Sequence, residues 1–405
     1  MMDAARERLP GLLQMLKASD VDALLCTLPI NILAVSGYWP VVGTSVALVL
    51  NDGRVMLIVP KDEEELARNS FAVRIYTFKP SPLDKITTAA CAVREPLEGI
   101  FREAGLGEGN GSFRLGVDQG ETSVPASYAA MHLYRADILN AISAVSPEAE
   151  LAPTNVQLDR LRSIKTNAQL AKIRTACQLV ETAFRKGASE LKPGLTEFDA
   201  AALFRTPLST AIPKFPGVER ADGFVSCMSG RNSALAHGAY ARSRSKHIEE
   251  HDLILTHCNS YADGYWTDIT RTFVIGRPTD RQSAMYDAVF AARDAALRAI
   301  APGKSASEVD HAARSVLESR GFGDNFKHST GHGVGFSAID PDALPRLHPK
   351  SPDVLEPGMV LNVEPAIYIQ NFGGIRHCDM AAVTAHGAEL LTPFFTRIED
   401  MILSA

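Results

Sequence analysis

The stretch Leu255–Thr272, LTHCNSYADGYWTDITRT, reads as two short β-strands joined by a turn. Asp263 and Gly264 are typical turn residues, and apolar and polar residues alternate on both sides of them. A histidine, His257, and an aspartate, Asp268, stand on the two arms, eleven residues apart. That spacing predicts that they face each other across the hairpin, with Cβ atoms roughly 5 Å apart. At this distance two side chains can share one ion.

Residues of metal-ligand type also interrupt three later segments in which buried strands should be apolar or alternating. They occur in STGHGVGF, LNVEPAIY and GGIRHCDM, as His332, Glu364 and Cys378. Each residue has an ordinary structural explanation when taken singly, such as a histidine or cysteine satisfied inside a core. Five such residues, His257 and Asp268 included, on successive elements of one domain indicate a metal-type centre instead.

The whole chain sets broad limits on function. It has 405 residues, which suits two domains, and 46% hydrophobic and 22% charged residues, which is typical of a soluble globular protein. The net charge of −6 and the lack of a basic block argue against nucleic acid or an anionic membrane as partner. No apolar run reaches the roughly 18 residues of a membrane span. The six cysteines are scattered without a CxxC motif, so we expect free thiols and a cytoplasmic location.

The order of patterns predicts two domains, residues 1–155 and 156–405. Helices and strands alternate in the first, which predicts an α/β domain with a hairpin at residues 45–60 and a helix at residues 126–137. A long helical stretch is expected over residues 151–191. In the second domain, an α+β domain, residues 358–369 and 374–384 each read as a strand.

Several motifs together resemble the peptidase M24, or pita-bread, family, which includes aminopeptidase P, prolidase, methionine aminopeptidase and the non-peptidase creatinase. The resemblance covers the whole chain. VDALLCTLPINILAVSGYWP is similar to the creatinase-type N-terminal domain, and the motifs of the second half follow the family's order and spacing: SGRNSALAHG, GYWTDITRTF, GHGVGF, LEPGMVLNVEPAIY and GGIRHCD. The resemblance implies a creatinase-like α/β N-terminal domain followed by an α+β pita-bread catalytic domain.

The family's dinuclear metal site uses Asp, Asp, His, Glu and Glu. Three of these positions are kept here, as Asp268, His332 and Glu364, whereas His257 replaces the first aspartate and Cys378 the last glutamate. The family's substrate-contacting histidine is kept as His237. A second histidine, usually seven residues after the ligand histidine, is missing: Ile339-Asp340 stand there, and His348 is a candidate substitute.

The two replacements change the charge and softness of the site. Four carboxylates match two divalent cations, whereas Asp268, Glu364 and a Cys378 thiolate supply about −3, or −2 if the thiol keeps its proton. This set suits one ion, held by Asp268, His332 and Glu364 with His257 or Cys378. Imidazole and thiolate favour zinc or iron, with manganese or cobalt as further candidates.

The resemblance implies a metal-dependent hydrolase of peptide or amide C–N bonds, similar to Xaa-Pro peptidases. Glu364 would take a proton from the attacking water, and His237 would bind the tetrahedral intermediate or protonate the leaving nitrogen. Arg271 and Arg376 either anchor a substrate carboxylate or orient the neighbouring acids. The substrate is a small peptide or another small molecule.

Two alternatives stay open. The first is a metal-free, creatinase-like hydrolase or lyase acting on a small C–N compound, with His237 as acid and base, Glu364 as the anchor for a cationic group and Cys378 as a candidate nucleophile. The second is a binding protein without catalysis. Tyr38 and Trp39 stand where family members reach a neighbouring subunit's site, which predicts a homodimer unless these rings pack in the core.

Overall fold

The computed structural model describes residues 2–41, 44–80, 88–107, 111–118, 136–237, 242–338 and 344–404. The chain divides into two compact units. The first comprises Met1–Arg162 with Thr166–Ala168, and the second comprises Ser163–Lys165 with Gln169–Ala405. The predicted domain limits at residues 155 and 156 remain a proposal.

The first unit is built on a six-stranded mixed sheet in the order β4-β3-β2-β1-β5-β6. β1 pairs antiparallel with β2 and β2 with β3, whereas the β3–β4, β1–β5 and β5–β6 pairs are parallel. The strands are β1 (Ala23–Cys26), β2 (Val46–Leu50), β3 (Val55–Pro60), β4 (Arg74–Phe78), β5 (Phe113–Val117) and β6 (Ala149–Pro153). The helices are α1 (Met2–Ala18), α2 (Pro29–Ser36), α3 (Glu64–Arg68), α4 (Ala89–Ala104), α5 (Ala136–Val145) and α6 (Asn155–Ser163).

Alternation along the central strands gives this sheet two buried faces. Leu25 and Leu48 pack on the face covered by α4 and α5, whereas Leu24 and Val49 pack on the face covered by α1 and α2. The predicted hairpin at residues 45–60 is confirmed as β2 and β3, with Gly53 in the left-handed region at φ 89°. The helix predicted at residues 126–137 lies largely outside the described residues.

The second unit contains three sheets, antiparallel except at one short edge strand, and the longer helices. β7 (Ala221–Ser229), β8 (Leu253–Ala262) and β9 (Tyr265–Ile275) form one sheet with the short strand β15 (Ile402–Leu403), which adds parallel to β9. β10 (Val360–Val363), β13 (Asp379–Thr384) and β14 (Gly387–Leu390) form the second, and β11 (Ala366–Ile369) and β12 (Gly373–Arg376) the third. The helices are α7 (Asn167–Glu190), α8 (Glu197–Thr210), α9 (Asp280–Ala299), α10 (Ala306–Ser319) and α11 (Ile398–Met401).

Local sequence fixes where the helices α8, α9 and α10 begin. Thr196, Thr279 and Ser305 each accept a hydrogen bond from the backbone N–H three residues later, and an acidic or amide side chain at that later position reaches back. These capping boxes satisfy backbone donors that the first helical turn leaves unpaired. None of the helices in the described part of the chain is long and apolar enough to cross a membrane.

The structure corrects the single helix predicted for residues 151–191. Residues 151–153 belong to β6, and the helical stretch divides into α6 and α7. Ile164 forms a β-bridge with Met359, and the Lys165 N–H donates to the carbonyl of Gly358. These backbone bonds to a distant segment replace the intrahelical bonds that would have joined the two helices.

Both long strands predicted near the C-terminus are also broken, and each break falls at a candidate site residue. Residues 358–369 divide into β10 and β11 at Glu364 and Pro365, where the Glu364 N–H donates to the carbonyl of Thr330. Residues 374–384 divide into β12 and β13 at His377 and Cys378. Each strand leaves its first sheet to enter a second one, which brings the interrupted residues to the junction between sheets.

Candidate active site

The hairpin predicted from Leu255–Thr272 is confirmed as β8 and β9, but its register differs from the expectation. His257 pairs with Thr270, and Asp268 pairs with Asn259, so His257 and Asp268 are diagonal neighbours on one face. The His257 Nδ1 lies 3.5 Å from the Asp268 Oδ1. The reason is the two-residue turn, which pairs Ala262 with Tyr265 and thereby sets every later pair.

His257 is held as a neutral ring. Its Nδ1 lies 3.0 Å from the hydroxyl oxygen of Thr270, which also accepts a hydrogen bond from the Arg376 Nε at 3.0 Å. Burial lowers the pKa of His257 to about 4, with the nearby charge of Arg376 acting in the same direction. At neutral pH its contact with Asp268 is therefore not an ion pair.

His332 approaches Asp268 from the opposite side. Its Nδ1 contacts the carbonyl of Gly333 at 2.9 Å, and its Nε2 lies 3.5 Å from the Asp268 Oδ2. Burial alone would lower the pKa of His332, but Asp268 and Glu364 raise it to about 9. The preceding residue must be glycine, because a Cβ on Gly331 would lie 2.0 Å from a carbonyl oxygen in β10.

Asn362 lies between these groups, and sequence reasoning did not select it. Its Oδ1 accepts a hydrogen bond from the His332 backbone N–H at 2.6 Å, which fixes the orientation of the amide. The Nδ2 therefore points into the centre, 3.4 Å from the Asp268 Oδ2, 3.2 Å from the His332 Nε2 and 3.6 Å from the Cys378 Sγ. The available signal was a polar residue in the fully buried strand β10.

Glu364 and Arg376 lie side by side at the centre. The Arg376 Nε lies 4.0 Å from the Glu364 Oε2, and the two side chains are 8% and 12% exposed. Burial raises the pKa of Glu364 to about 7, against the opposing effect of Arg376. A carboxyl group with this pKa can both accept and release a proton near neutral pH.

Cys378 is fully buried, as a thiol rather than a thiolate. Its Sγ donates to the backbone carbonyl of Asp268 at 3.1 Å and lies 3.9 Å from the Asp268 Oδ1. Burial raises the pKa of Cys378 well above its ordinary value, and the charges of Asp268 and Glu364 raise it further. This environment disfavours the nucleophilic role considered for Cys378.

Arg271 has a structural environment, which favours the second of its two expected roles, orienting a neighbouring acid, over anchoring a substrate carboxylate. The side chain is fully buried. It donates to the backbone carbonyls of Cys378, Thr392 and Phe394 and, at 2.6 Å, to the carboxylate of Asp379. Asp379 also accepts from Arg293. These contacts hold β13 against β9 beside Cys378.

The family-type histidine His237 lies outside this buried cluster, at the wall of an open cavity of about 520 Å³. Its ring centroid is 5.3 Å from that of Tyr368, whose hydroxyl contacts the His328 Nε2 at 3.0 Å. His348 is exposed, and its Nδ1 accepts a hydrogen bond from the Lys350 N–H. The described contacts do not bring His348 to the centre. Ile339 and Asp340 lie outside the described residues.

A mixed-sheet unit followed by antiparallel sheets that gather His, Asp and Glu at their junction is the architecture of a creatinase-type domain with a pita-bread catalytic domain. Residues 8–164 match the creatinase/prolidase N-terminal domain, and residues 171–385 match metallopeptidase family M24. The chain belongs to the M24 family and is an M24-type hydrolase. The predicted fold class is confirmed.

The chain is similar to prolidases over almost its full length and theirs. The Xaa-Pro dipeptidase of Pyrococcus furiosus is 29% identical over 387 residues, which are 96% of this chain and 98% of that protein. The structure of the Bacillus anthracis Xaa-Pro dipeptidase has a TM-score of 0.77 at 26% identity and covers 98% of this chain and 100% of its own. The Pyrococcus horikoshii prolidase has a TM-score of 0.74 at 26% identity, with coverages of 95% and 98%.

The M24 peptidase family uses divalent metal ions, but the residues of this centre do not fit one. The Asn362 amide presents hydrogen atoms, not lone pairs, to the Asp268 Oδ2 and the His332 Nε2. When His332 is protonated, its Nε2–H faces Asp268 instead. The Nε2 is therefore in a hydrogen bond in either protonation state, whereas a metal ion would need its lone pair. No group of three or more His, Cys, Asp or Glu side chains in the described part is arranged to hold a metal ion. The single ion expected from His257, Asp268, His332, Glu364 and Cys378 therefore disagrees with this geometry.

Proposed function

We propose that the protein hydrolyses a C–N bond in a small peptide or amide by acid–base catalysis, without a resident metal ion. The observation that carries the proposal is the Asn362 amide, which donates to Asp268 where the family places cations. The prolidase names of full-length relatives support a peptide substrate of the Xaa-Pro type. The changed centre is equally compatible with another small amide.

Glu364 is the catalytic base in this proposal. With a pKa of about 7 it is partly ionised at neutral pH, and its side chain is 12% exposed. It takes a proton from water as the oxygen attacks the substrate carbonyl carbon. The same proton then passes to the leaving nitrogen as the C–N bond breaks, which returns Glu364 to its carboxylate form.

Arg376 and His237 stabilise the oxygen on which negative charge develops. The guanidinium of Arg376 is anchored by Thr270 and lies beside Glu364, so a fixed positive charge is present in a nearly water-free place. Burial and the charge of Lys327 lower the pKa of His237, so its ring is neutral near pH 7 and has one N–H to donate.

The alternative is the one-ion hydrolase expected from the sequence, with zinc or iron favoured and manganese or cobalt as candidates. It requires the Asn362 amide to turn away from Asp268 and His332. All six cysteines are free, and with the absence of a basic block this supports a cytoplasmic protein without nucleic-acid or membrane partners. A homodimer remains part of the proposal, although Tyr38 is buried with its hydroxyl bonded to Glu63.

Turnover of a dipeptide panel by the Glu364→Gln variant tests the catalytic assignment. Glutamine keeps the shape of the side chain but cannot accept the proton, so we expect kcat to fall about 10²- to 10⁴-fold. Glu389→Gln is the matched control, because Glu389 pairs with Arg174 away from the centre. Full activity of Glu364→Gln, measured in protein treated with a chelator, would exclude Glu364 as the base.

A further inference from the structure

The cavity beside His237 is lined by basic residues. Its walls come from the 3₁₀ turn Gly230–Leu235, from the segment that precedes β8 and from the loop before His332. Among the described residues, four cationic side chains and no aspartate or glutamate line it: Arg231, Arg244, Lys246 and Lys327. This concentration of positive charge occurs in a chain whose net charge is −6.

Three of the four cations have no internal counter-ion in the described part of the chain. Lys246 is engaged, because its Nζ pairs with Asp252 at 2.5 Å and also donates to Ser229. Arg231, Arg244 and Lys327 are exposed, and none of them is in an ion pair with a described residue. The cavity therefore has about three positive charges available to a ligand.

The nearest buried acid does not neutralise this wall. Glu197 is fully buried behind it. Its two oxygens accept hydrogen bonds from the backbone and hydroxyl of Ser229, from the Asn232 side chain and from the backbone N–H of Arg244. Glu197 thus fixes the backbone that carries Arg231 and Arg244, while their guanidinium groups extend into the solvent side of the cavity.

The basic cavity adjoins the catalytic centre. His237 lines it, and the His237 ring packs against Tyr368. On the other side, Arg376 donates to the carbonyl of Ala236, the residue before His237, at 3.4 Å. Arg376 therefore contacts both Glu364 and the segment that carries His237, and a substrate held at Glu364 would extend past His237 to reach the cations.

We propose that the substrate of this site carries at least two carboxylates, as in an acidic dipeptide or an amide of a dicarboxylic acid. The inference rests on the proposed function, because the anionic groups of unmodified peptides near neutral pH are carboxylates. One carboxylate would leave most of the available positive charge uncompensated, whereas two or three would match it and bind the guanidinium groups of Arg231 and Arg244.

Two measurements test the substrate class. The first is the binding of tricarballylate, a tricarboxylate, compared with butyrate, a monocarboxylate, by titration calorimetry at low salt. The second is kcat/KM for dipeptide pairs that differ only by carboxylate against amide, such as Glu-Pro with Gln-Pro and Ala-Glu with Ala-Gln. Each is repeated in the Arg231→Gln, Arg244→Gln, Lys327→Gln triple variant. Arg242→Gln is the control, since Arg242 is exposed on the same segment but does not line the cavity.

We expect wild-type protein to bind tricarballylate more tightly than butyrate and to prefer the acidic member of each pair. Exposed ion pairs change affinity about two- to fivefold each, so the triple variant should lose about ten- to hundredfold in tricarballylate affinity, while Arg242→Gln keeps it. Added salt should weaken wild-type binding and affect the triple variant little.

The outcomes separate this inference from the proposed function. If acidic and neutral dipeptides are hydrolysed equally and tricarballylate does not bind, the proposed substrate class is wrong, whereas the proposed hydrolase activity is retained. If tricarballylate binds to the wild type but not to the triple variant, and no amide is hydrolysed, the anion site is supported and the proposed hydrolase activity is wrong. If the triple variant keeps the full preference for acidic dipeptides, other residues recognise the additional carboxylate, which also contradicts the inference.

Discussion

Replacing Asn362 by alanine should weaken the folded state and open the centre to metal. The variant leaves the His332 N–H without its acceptor at 2.6 Å and removes one donor, at 3.4 Å, from the Asp268 Oδ2, which keeps the His332 Nε2 at 3.5 Å. An unsatisfied buried donor costs about 1–3 kcal/mol and a lost hydrogen bond about 0.5–1.5 kcal/mol, so the free energy of unfolding should fall by about 1.5–4.5 kcal/mol in the absence of metal. The alanine also removes the amide hydrogens that face the Asp268 Oδ2, the His332 Nε2 and the Cys378 Sγ.

Urea unfolding with and without zinc at pH 8 measures both effects. The chain has two tryptophans, so in a Trp39→Phe background the fluorescence of Trp266 in β9 reports the second unit alone. A Cys91→Ser background removes the exposed thiol, which would bind zinc adventitiously. Zinc at about 100 times its Kd should raise the stability of Asn362→Ala by about 2.7 kcal/mol and leave the parent unchanged.

Asn325→Ala is the matched control. The Asn325 Nδ2 donates to the carbonyl of Tyr368 at 3.1 Å, outside the centre. We expect a loss of about 1 kcal/mol and no response to zinc. If zinc stabilises the parent protein as much as it stabilises Asn362→Ala, the Asn362 amide does not occupy the position that a metal ion would take.

Three further predictions follow from the same contacts. Glu364 must be ionised to act as a base, and its pKa is raised to about 7, so kcat/KM should rise with pH through about 7 and level off above it. A flat profile from pH 6 to 8 would indicate instead that a bound cation keeps Glu364 ionised. Cys378→Ser keeps a donor to the Asp268 carbonyl and should retain most activity in a steady-state assay, whereas a nucleophilic Cys378 would make the variant inactive. Arg271→Met leaves Asp379 with Arg293 as its remaining arginine partner. The free energy of unfolding, monitored by Trp266 fluorescence, should therefore fall by about 3 kcal/mol, and KM should stay unchanged. A raised KM would indicate that Arg271 binds the substrate.

The fold and most of the centre were predictable from the sequence because the signals are local and repeated. Turn residues at Asp263 and Gly264 mark the hairpin, and polar residues of one chemical type interrupt three other segments. The register error was avoidable. A two-residue turn pairs Ala262 with Tyr265, and counting outward pairs His257 with Thr270 and Asn259 with Asp268.

Side-chain orientation was not predictable. Arg271 and Arg376 occupy similar places beside ligand-type residues in the sequence, yet Arg271 is enclosed by carbonyl groups whereas Arg376 faces Glu364. Asn362 stands in an apolar run, where a buried asparagine is unusual. Its role depends on a hydrogen bond from His332, thirty residues away in the chain, and this contact exists only once the sheets have met.

We propose that this M24-type centre works without a metal ion. Metal analysis of protein purified without added metal, combined with kcat/KM before and after dialysis against a chelator, tests this proposal. We predict well under one equivalent of zinc, iron, manganese or cobalt, and activity that the chelator does not change. One equivalent of a divalent metal, lost together with activity on chelation and restored with it, would contradict the claim.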